Sequence, residues 1–248
     1  MSKIIAVWGN NFKTSTAINI AKRLALKHKV MLVGTDYTKP LSGIVFPRGK
    51  IEQKSLGDLL NQSSVTIDDI YASLFFGKDE NLAVVSYLPT ENQKTYANYS
   101  VRRATNLLNN FKQLVDYVVV DCMNDVTASI LSATAISLAD SNVLLTTPDV
   151  NGVSFYQSQS QLLITIRVTP DSLLKAIAIN TPADRSTVGI VRGDIELSQR
   201  VIGARHDLRV PFSPKVASQL ITGELLNPTG DKQYEKAIKE IIKRTKEA

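Results

Sequence analysis

KIIAVWGNNFKTSTAINIAKRL, residues 3–24, decides the fold. Ile4-Ile5-Ala6-Val7-Trp8 is a short, β-branched apolar run, the composition of a buried strand. Gly9-Asn10-Asn11-Phe12 follows as a loop. Lys13-Thr14-Ser15-Thr16 then opens an amphipathic helix, with Ile18, Ile20, Ala21, Leu24 and Ala25 on or near one face. Strand, tight loop, Lys-Thr/Ser and helix are the layout of a phosphate-binding loop. Such a loop turns backbone N–H groups, the positive end of a helix and a lysine ammonium onto one anion. A Thr or Ser hydroxyl then holds Mg²⁺.

The spacing departs from GxxxxGK[ST] at one decisive place. Phe12 stands directly before Lys13, where a glycine belongs. Asn10 and Asn11 tolerate left-handed backbone better than most residues. A bulky aromatic does not, so Phe12 is expected to force another loop path or to turn its ring outward. A plain strand–turn–helix unit is the competing reading of these residues.

The 248 residues, 44% of them hydrophobic, suit one sizeable α/β domain spanning 1–248. There is no apolar run of about 18 residues, which argues against a transmembrane helix, and the early first strand against a signal peptide. A single cysteine, Cys122, excludes an internal disulfide and fits a reducing cytoplasm. With two histidines and one cysteine, a His/Cys zinc cluster is not expected. The net charge of +6 permits contact with nucleic acid or an anionic membrane, and fits simple solubility equally well.

Strands and helices alternate along the rest of the chain. This implies a mostly parallel twisted sheet of about seven or eight strands with helices on both faces. Residues 29–33 read as the second strand, and its exit carries Asp36, at the carboxyl edge where α/β sheets bind ligands. There Asp36 either reaches Mg²⁺ or its water, or forms a turn. Residues 41–81 read as an irregular, partly helical excursion, with a weak capping box at Thr66 and Asp69. A strand over 81–89 and a helix over 96–115 follow, with Arg102 and Arg103 off the apolar face. Residues 116–121 are a buried strand ending in Asp121, positioned to hold the Mg²⁺ shell. Cys122 reads as a small buried residue, not a nucleophile.

A helix over 127–138, a strand over 141–148 and a helix over about 152–166 come next. The strand 175–180 ends in Asn180, an amide able to pair with an adenine edge or to form a turn before Pro182. A short strand at 208–212 and helices at 214–222 and 231–246 close the chain. The last helix sets Tyr234, Ala237, Ile238, Ile241 and Ile242 against Lys232, Lys236, Lys239, Lys243, Arg244 and Lys246. It packs on the sheet or lies on a membrane surface; lacking bulky insertion anchors, packing is the better reading.

These stretches together resemble the ParA/MinD family, the deviant-Walker branch of the P-loop ATPases. The resemblance rests on VWGNNFKTSTAINIAKRLA, MLVGTDYTKPLSGIVF, DYVVVDCMND, LADSNVLLTTPDVNGVSFYQ, AIAIN and VPFSPKVASQLITGELL, and spans nearly the whole chain. It implies a P-loop NTPase fold with ATP and Mg²⁺ as ligands. Gly9, Asn10, Asn11, Phe12, Lys13, Thr14 and Ser15 then form the nucleotide loop, and Asn19, Ala21, Leu24 and Ala25 match the helix behind it. Asp36 matches the catalytic switch I carboxylate, Thr14, Asp36 and Asp121 the metal set, and Asn180 with Pro211 the adenine site.

The departures carry their own implication. The signature lysine is Trp8, the second and third loop glycines are Asn10 and Phe12, and the first switch I carboxylate is Gly34. Met123 and Asp125 replace the Pro and Gly after the Walker B aspartate, and Asp125 sets a like charge against a γ-phosphate. Losing a charge-stabilising cation costs on the order of 10³-fold in phosphoryl transfer, so hydrolysis is expected to be slow or absent.

By analogy the resemblance implies a cytoplasmic dimer switch for plasmid or chromosome partitioning, or for placing a pilus, secretion or conjugation apparatus. Its expected partners are a second copy, a protein of such a system, nonspecific DNA and, less favoured, a membrane surface. A non-hydrolysing scaffold is the alternative. A metabolic ATP-using ligase of the dethiobiotin synthetase kind ranks last, because no substrate site can be named.

Overall fold

The computed structural model describes residues 2–47, 53–96, 98–166, 168–179 and 208–247. Eight strands form one sheet: β1 (Lys3–Gly9), β2 (Val30–Gly34), β3 (Phe75–Phe76), β4 (Leu82–Ser86), β5 (Tyr117–Asp121), β6 (Ser141–Thr146), β7 (Leu173–Ala178) and β8 (Leu208–Val210). Their order is β3-β4-β2-β5-β1-β6-β7-β8. All neighbours are parallel except β3 and β4. The helices are α1 (Lys13–Ala25), α2 (Leu41–Val45), α3 (Leu56–Asn61), α4 (Ile67–Tyr71), α5 (Val101–Leu114), α6 (Ile130–Leu138), α7 (Val150–Thr165), α8 (Pro214–Thr222) and α9 (Lys232–Glu247).

A parallel sheet must be covered on both faces, and the pleat of β1 shows how the sequence achieves it. Ile5 and Val7 enter one core with α1, α2, α8 and α9, while Ile4, Ala6 and Trp8 enter the other with α3 to α7. The inner strands therefore carry consecutive apolar residues rather than alternate ones. α1 lies almost wholly buried, and α9 packs across it through Tyr234, Ile238, Ile241 and Ile242. The apolar face of α9 is thus spent on the core, as expected, and Lys232, Lys236, Lys239 and Lys243 face outward. Among the described residues, no helix is long and apolar enough to cross a membrane.

The expected excursion at 41–81 holds three short helices and an edge strand. β3 is two residues long, too short to show a period of two, so the sequence gives no sign of it. The Thr66–Asp69 capping box is present, and Ser55 with Asp58 forms a second at α3. The single helix expected at 127–138 is a 3-10 turn, Val126–Ala128, followed by α6; Asp125 and Ser129 cap the two pieces separately.

Candidate functional site

Register fixes the site's frame. Asp121 at the end of β5 pairs with Val7 on one side and Gly34 on the other, so the exits of β1, β2 and β5 open onto one edge. Gly9 leaves β1 with φ of 147°, and a Cβ there would stand 1.9 Å from the Leu145 carbonyl oxygen. Only glycine allows β1 to turn this close to β6. Asn10 then ties the loop to the exit of β6. Its N–H donates to Leu145 O at 3.2 Å. Its side-chain amide donates to Thr147 Oγ1 at 2.8 Å and accepts the Thr147 N–H at 3.0 Å. Asn124 Nδ2 donates to Asn10 O at 3.1 Å from the other side.

Phe12 corrects the expectation made for it. It adopts the left-handed conformation, φ 58° and ψ 3°, and among the described residues it is the one non-glycine with positive φ. That conformation costs about 1–2 kcal/mol, so the surrounding structure must hold it. The ring turns inward rather than outward, packing half-buried on the core of α1 and α9. The Phe12 carbonyl accepts Ser15 Oγ at 3.0 Å and the Thr16 N–H at 3.0 Å. Phe12 thus takes up a left-handed conformation that glycine adopts without strain. Phe12, Ser15, Ile179, Pro211, Val216 and Tyr234 help line an apolar cavity of about 240 Å³ beside it.

α1 starts without a capping side chain and with no acidic residue in its first turn. Lys13 stands there instead. Its Nζ donates to Asp121 Oδ1 at 3.1 Å and to Thr14 Oγ1 at 3.5 Å. The ion pair is nearly sealed, with side chains 5% and 3% exposed. Burial raises the Asp121 pKa, and Lys13 together with the Thr14 hydroxyl pulls it back. Asp36 is buried close enough for its charge to add to that rise. Its Oδ1 also makes the turn that the bland reading foresaw, accepting the Thr38 N–H at 2.8 Å, Thr38 Oγ1 at 2.6 Å and the Lys39 N–H at 3.2 Å. The turn expected of Asp36 is therefore present.

The structure gathers Gly9, Asn10, Asn11, Phe12, Lys13, Thr14, Ser15, Asp36 and Asp121 at this edge, with Pro211 across the apolar cavity. Asn180 lies outside the described residues. Asp125 turns inward on its own segment, accepting the Thr127 N–H at 3.0 Å. Trp8 is buried on the opposite face of the sheet, 6.4 Å from the Phe155 ring, with its indole N–H unpartnered. Burial pushes the Cys122 thiol up and keeps it neutral, in line with the expected packing role. Sequence reading missed Thr35 and Ser132. Their hydroxyls meet at 2.7 Å, Thr35 Oγ1 donates to Asp121 O at 3.0 Å, and Ser132 Oγ accepts the Met123 N–H at 3.0 Å. A lone Ser and Thr 97 positions apart carry no signal in one sequence.

No family model matches the chain, and no curated protein matches it. Solved structures do. The cell-division ATPase MinD of Pyrococcus furiosus aligns over 100% of this chain and 99% of its own, with a TM-score of 0.75 and 16% identity. MinD of Pyrococcus horikoshii, complexed with Mg-ADP, covers 97% and 96% at a TM-score of 0.72 and 17% identity. A ParA-family ATPase from Chlorobium tepidum covers 98% and 99% at 0.71 and 17%. The fold is that of the MinD and ParA ATPases. At such identities the likeness establishes architecture. The chemistry of individual residues rests on the geometry above.

Proposed function

We propose that the chain works as a single unit, a cytoplasmic nucleotide-dependent switch of the ParA/MinD kind that positions or partitions a cellular cargo. The observation carrying this reading is the Lys13 ammonium, 3.1 Å from Asp121 at the uncapped start of α1. An open helix end, a lysine and a carboxylate with a neighbouring Thr hydroxyl are the parts that MgATP needs. The residues present fit that group. Lys13 and the first-turn N–H groups would hold phosphate, Thr14, Asp36 and Asp121 the Mg²⁺, and the cavity beside Phe12 and Pro211 the base. Mg²⁺, when bound, supplies charge neutralisation between the phosphates.

Two features support slow or absent hydrolysis. Trp8 is locked in the core where the family's signature lysine would stand, and the Phe12 N–H is taken by Asn11 Oδ1 at 2.9 Å. The second of these also favours the alternative, a non-hydrolysing scaffold that retains the fold and pairs with a second copy. Under either reading the partners are a second copy and a protein of a partition, pilus or conjugation system. Nonspecific DNA ranks behind them. A membrane surface ranks last, because α9 has its apolar face in the core.

Calorimetry separates the two. The switch reading expects micromolar or tighter MgATP binding that is lost in folded Lys13→Ala; no heat at millimolar MgATP leaves the scaffold. Steady-state phosphate release then tests catalysis. Trp8→Lys combined with Phe12→Gly is expected to raise it, and an unchanged rate would count against the damaged-loop account.

A further inference from the structure

Four of the chain's eight tyrosines, Tyr37, Tyr87, Tyr96 and Tyr99, line one small cavity of about 70 Å³. It lies outside the nucleotide loop, between the segment after β4, the turn after β2 and the start of α6. The rings are fixed in place. Tyr37 and Tyr87 stand edge-on at 85° with centroids 6.2 Å apart, forming two walls of a corner. The single Tyr96 O–H lies within hydrogen-bond distance of two acceptors, Glu91 Oε1 at 2.5 Å and Asp58 Oδ1 at 3.2 Å. Its ring lies against α3 only because residue 57 is glycine; a Cβ there would meet the ring at 2.1 Å. Tyr99 accepts the Leu131 N–H at 3.1 Å, and Tyr37 donates to Ala128 O at 3.4 Å.

The electrostatics around these rings have one sign. Glu91 reaches Tyr87, and Glu91 with Asp58 reaches Tyr96; each raises the phenol it faces, behind burial as the larger cause. Among the described residues neither carboxylate has an ion-pair partner. Ring faces carry negative charge density, and Glu91 and Asp58 stand at the Tyr96 hydroxyl, so a corner of tyrosines beside these carboxylates suits a cation. The cavity is too small for a nucleotide and admits a guanidinium head, which stacks on rings and is more weakly hydrated than an ammonium.

We propose that this tyrosine cavity receives the arginine side chain of a partner protein. Tyr37 directly follows Asp36, and Ala128 ends the turn after Asp125, so an occupant joins the two loops that flank the candidate metal site. The proposal is independent of nucleotide binding and is tested without nucleotide.

The probe is the peptide acetyl-Gly-Ser-Arg-Ser-Gly-amide, titrated into the full chain carrying ¹³C-labelled tyrosine and followed by aromatic NMR. A citrulline peptide, of equal shape without the charge, is the control. The ring signals of Tyr37, Tyr87 and Tyr99 are expected to shift saturably with the arginine peptide alone. Tyr37→Phe keeps the ring face and binds within about twofold, while Tyr37→Leu binds about tenfold more weakly. Glu91→Gln keeps an acceptor for Tyr96, removes one charge and weakens binding about threefold, so the test survives a poorly folded Tyr37→Leu. Equal shifts from both peptides overturn the proposal. So does the absence of any shift, or Glu91→Gln and Tyr37→Leu both binding like wild type.

Discussion

Two helices begin side by side at the carboxyl edge of the sheet, α1 after β1 and α7 after β6, and they are finished in opposite ways. Asp149 caps α7, its Oδ1 accepting the Gly152 N–H at 2.9 Å and the Thr147 hydroxyl at 2.7 Å. Ser55, Thr66, Ser100, Ser129 and Ser213 cap α3, α4, α5, α6 and α8 in the same manner. α1 has a left-handed Phe12 at that position and a lysine in its first turn. A capped end has used its N–H groups for stability, about 1 kcal/mol each. An open end carrying a cation works against its own macrodipole. That arrangement is sensible where an anion completes it. The two ends are also joined, since Asn10 bonds Thr147 and Thr147 bonds Asp149. The conventional cap thus braces the unconventional one.

The largest effect that tests this contrast is Lys13→Ala. It leaves Asp121 buried without its counter-charge, and breaking a buried pair from one side costs about 3–5 kcal/mol near neutral pH. The dependence on pH follows from the direction of the Asp121 shift. Burial lifts its folded pKa above the unfolded value, and Lys13 opposes that lift. A carboxyl raised on folding contributes stability below its unfolded pKa and loses it as pH rises through the folded value. Without Lys13 the lift grows, so the variant's deficit opens as pH climbs through the wild-type folded value, itself above the unfolded value of about 4, and is absent at lower pH, where Asp121 is neutral in both proteins. Urea unfolding at acid and neutral pH checks this. A deficit independent of pH would mean that the lysine acts through packing alone.

How legible this contrast was differs between the two sides. The start of α1 could be read directly, because Gly9, Lys13 and Thr14 lie within six positions and the strand before them is continuously apolar. Asp121 could be placed because a buried strand ends on it. The inward ring of Phe12 could not. Steric preference argues against a left-handed aromatic, and what overrides it is packing against residues from β7, β8, α8 and α9, far away in sequence. The same holds for the Thr35–Ser132 pair and the tyrosine cavity, which exist only once distant loops meet. The two-residue β3 escaped because nothing in Phe75-Phe76 distinguishes an edge strand from a loop.

A middle-sized effect is expected on the capped side. Asp149→Ala removes the α7 cap and lowers stability by about 1 kcal/mol. It also frees Thr147, whose hydroxyl accepts from Asn10. Measured by thermal unfolding and by MgATP titration, the variant is expected to bind within about twofold of wild type. A loss of binding matching that of Lys13→Ala would mean that the two helix ends form one site, and the contrast between them would break.

The smallest effect bears on the open end itself. The exposed Asn11 side chain gives its Oδ1 to the Phe12 N–H at 2.9 Å, so a neutral carbonyl holds the donor that a phosphate would take. A net hydrogen bond of about 0.5–1.5 kcal/mol must be released before that N–H can turn to an anion. Asn11→Ala removes the competitor, and pyrophosphate or MgATP is expected to bind about threefold more tightly, at a small loss of stability. Asn11→Asp is nearly isosteric but charged. It strengthens the internal bond and repels the incoming phosphate, so binding should weaken by more than alanine strengthens it. Tighter binding by Asn11→Ala than by wild type is the result that puts the Phe12 N–H in the anion site, since weakening by Asn11→Asp follows from its charge alone. Equal affinities for all three would leave α1 as a helix that merely lacks a cap.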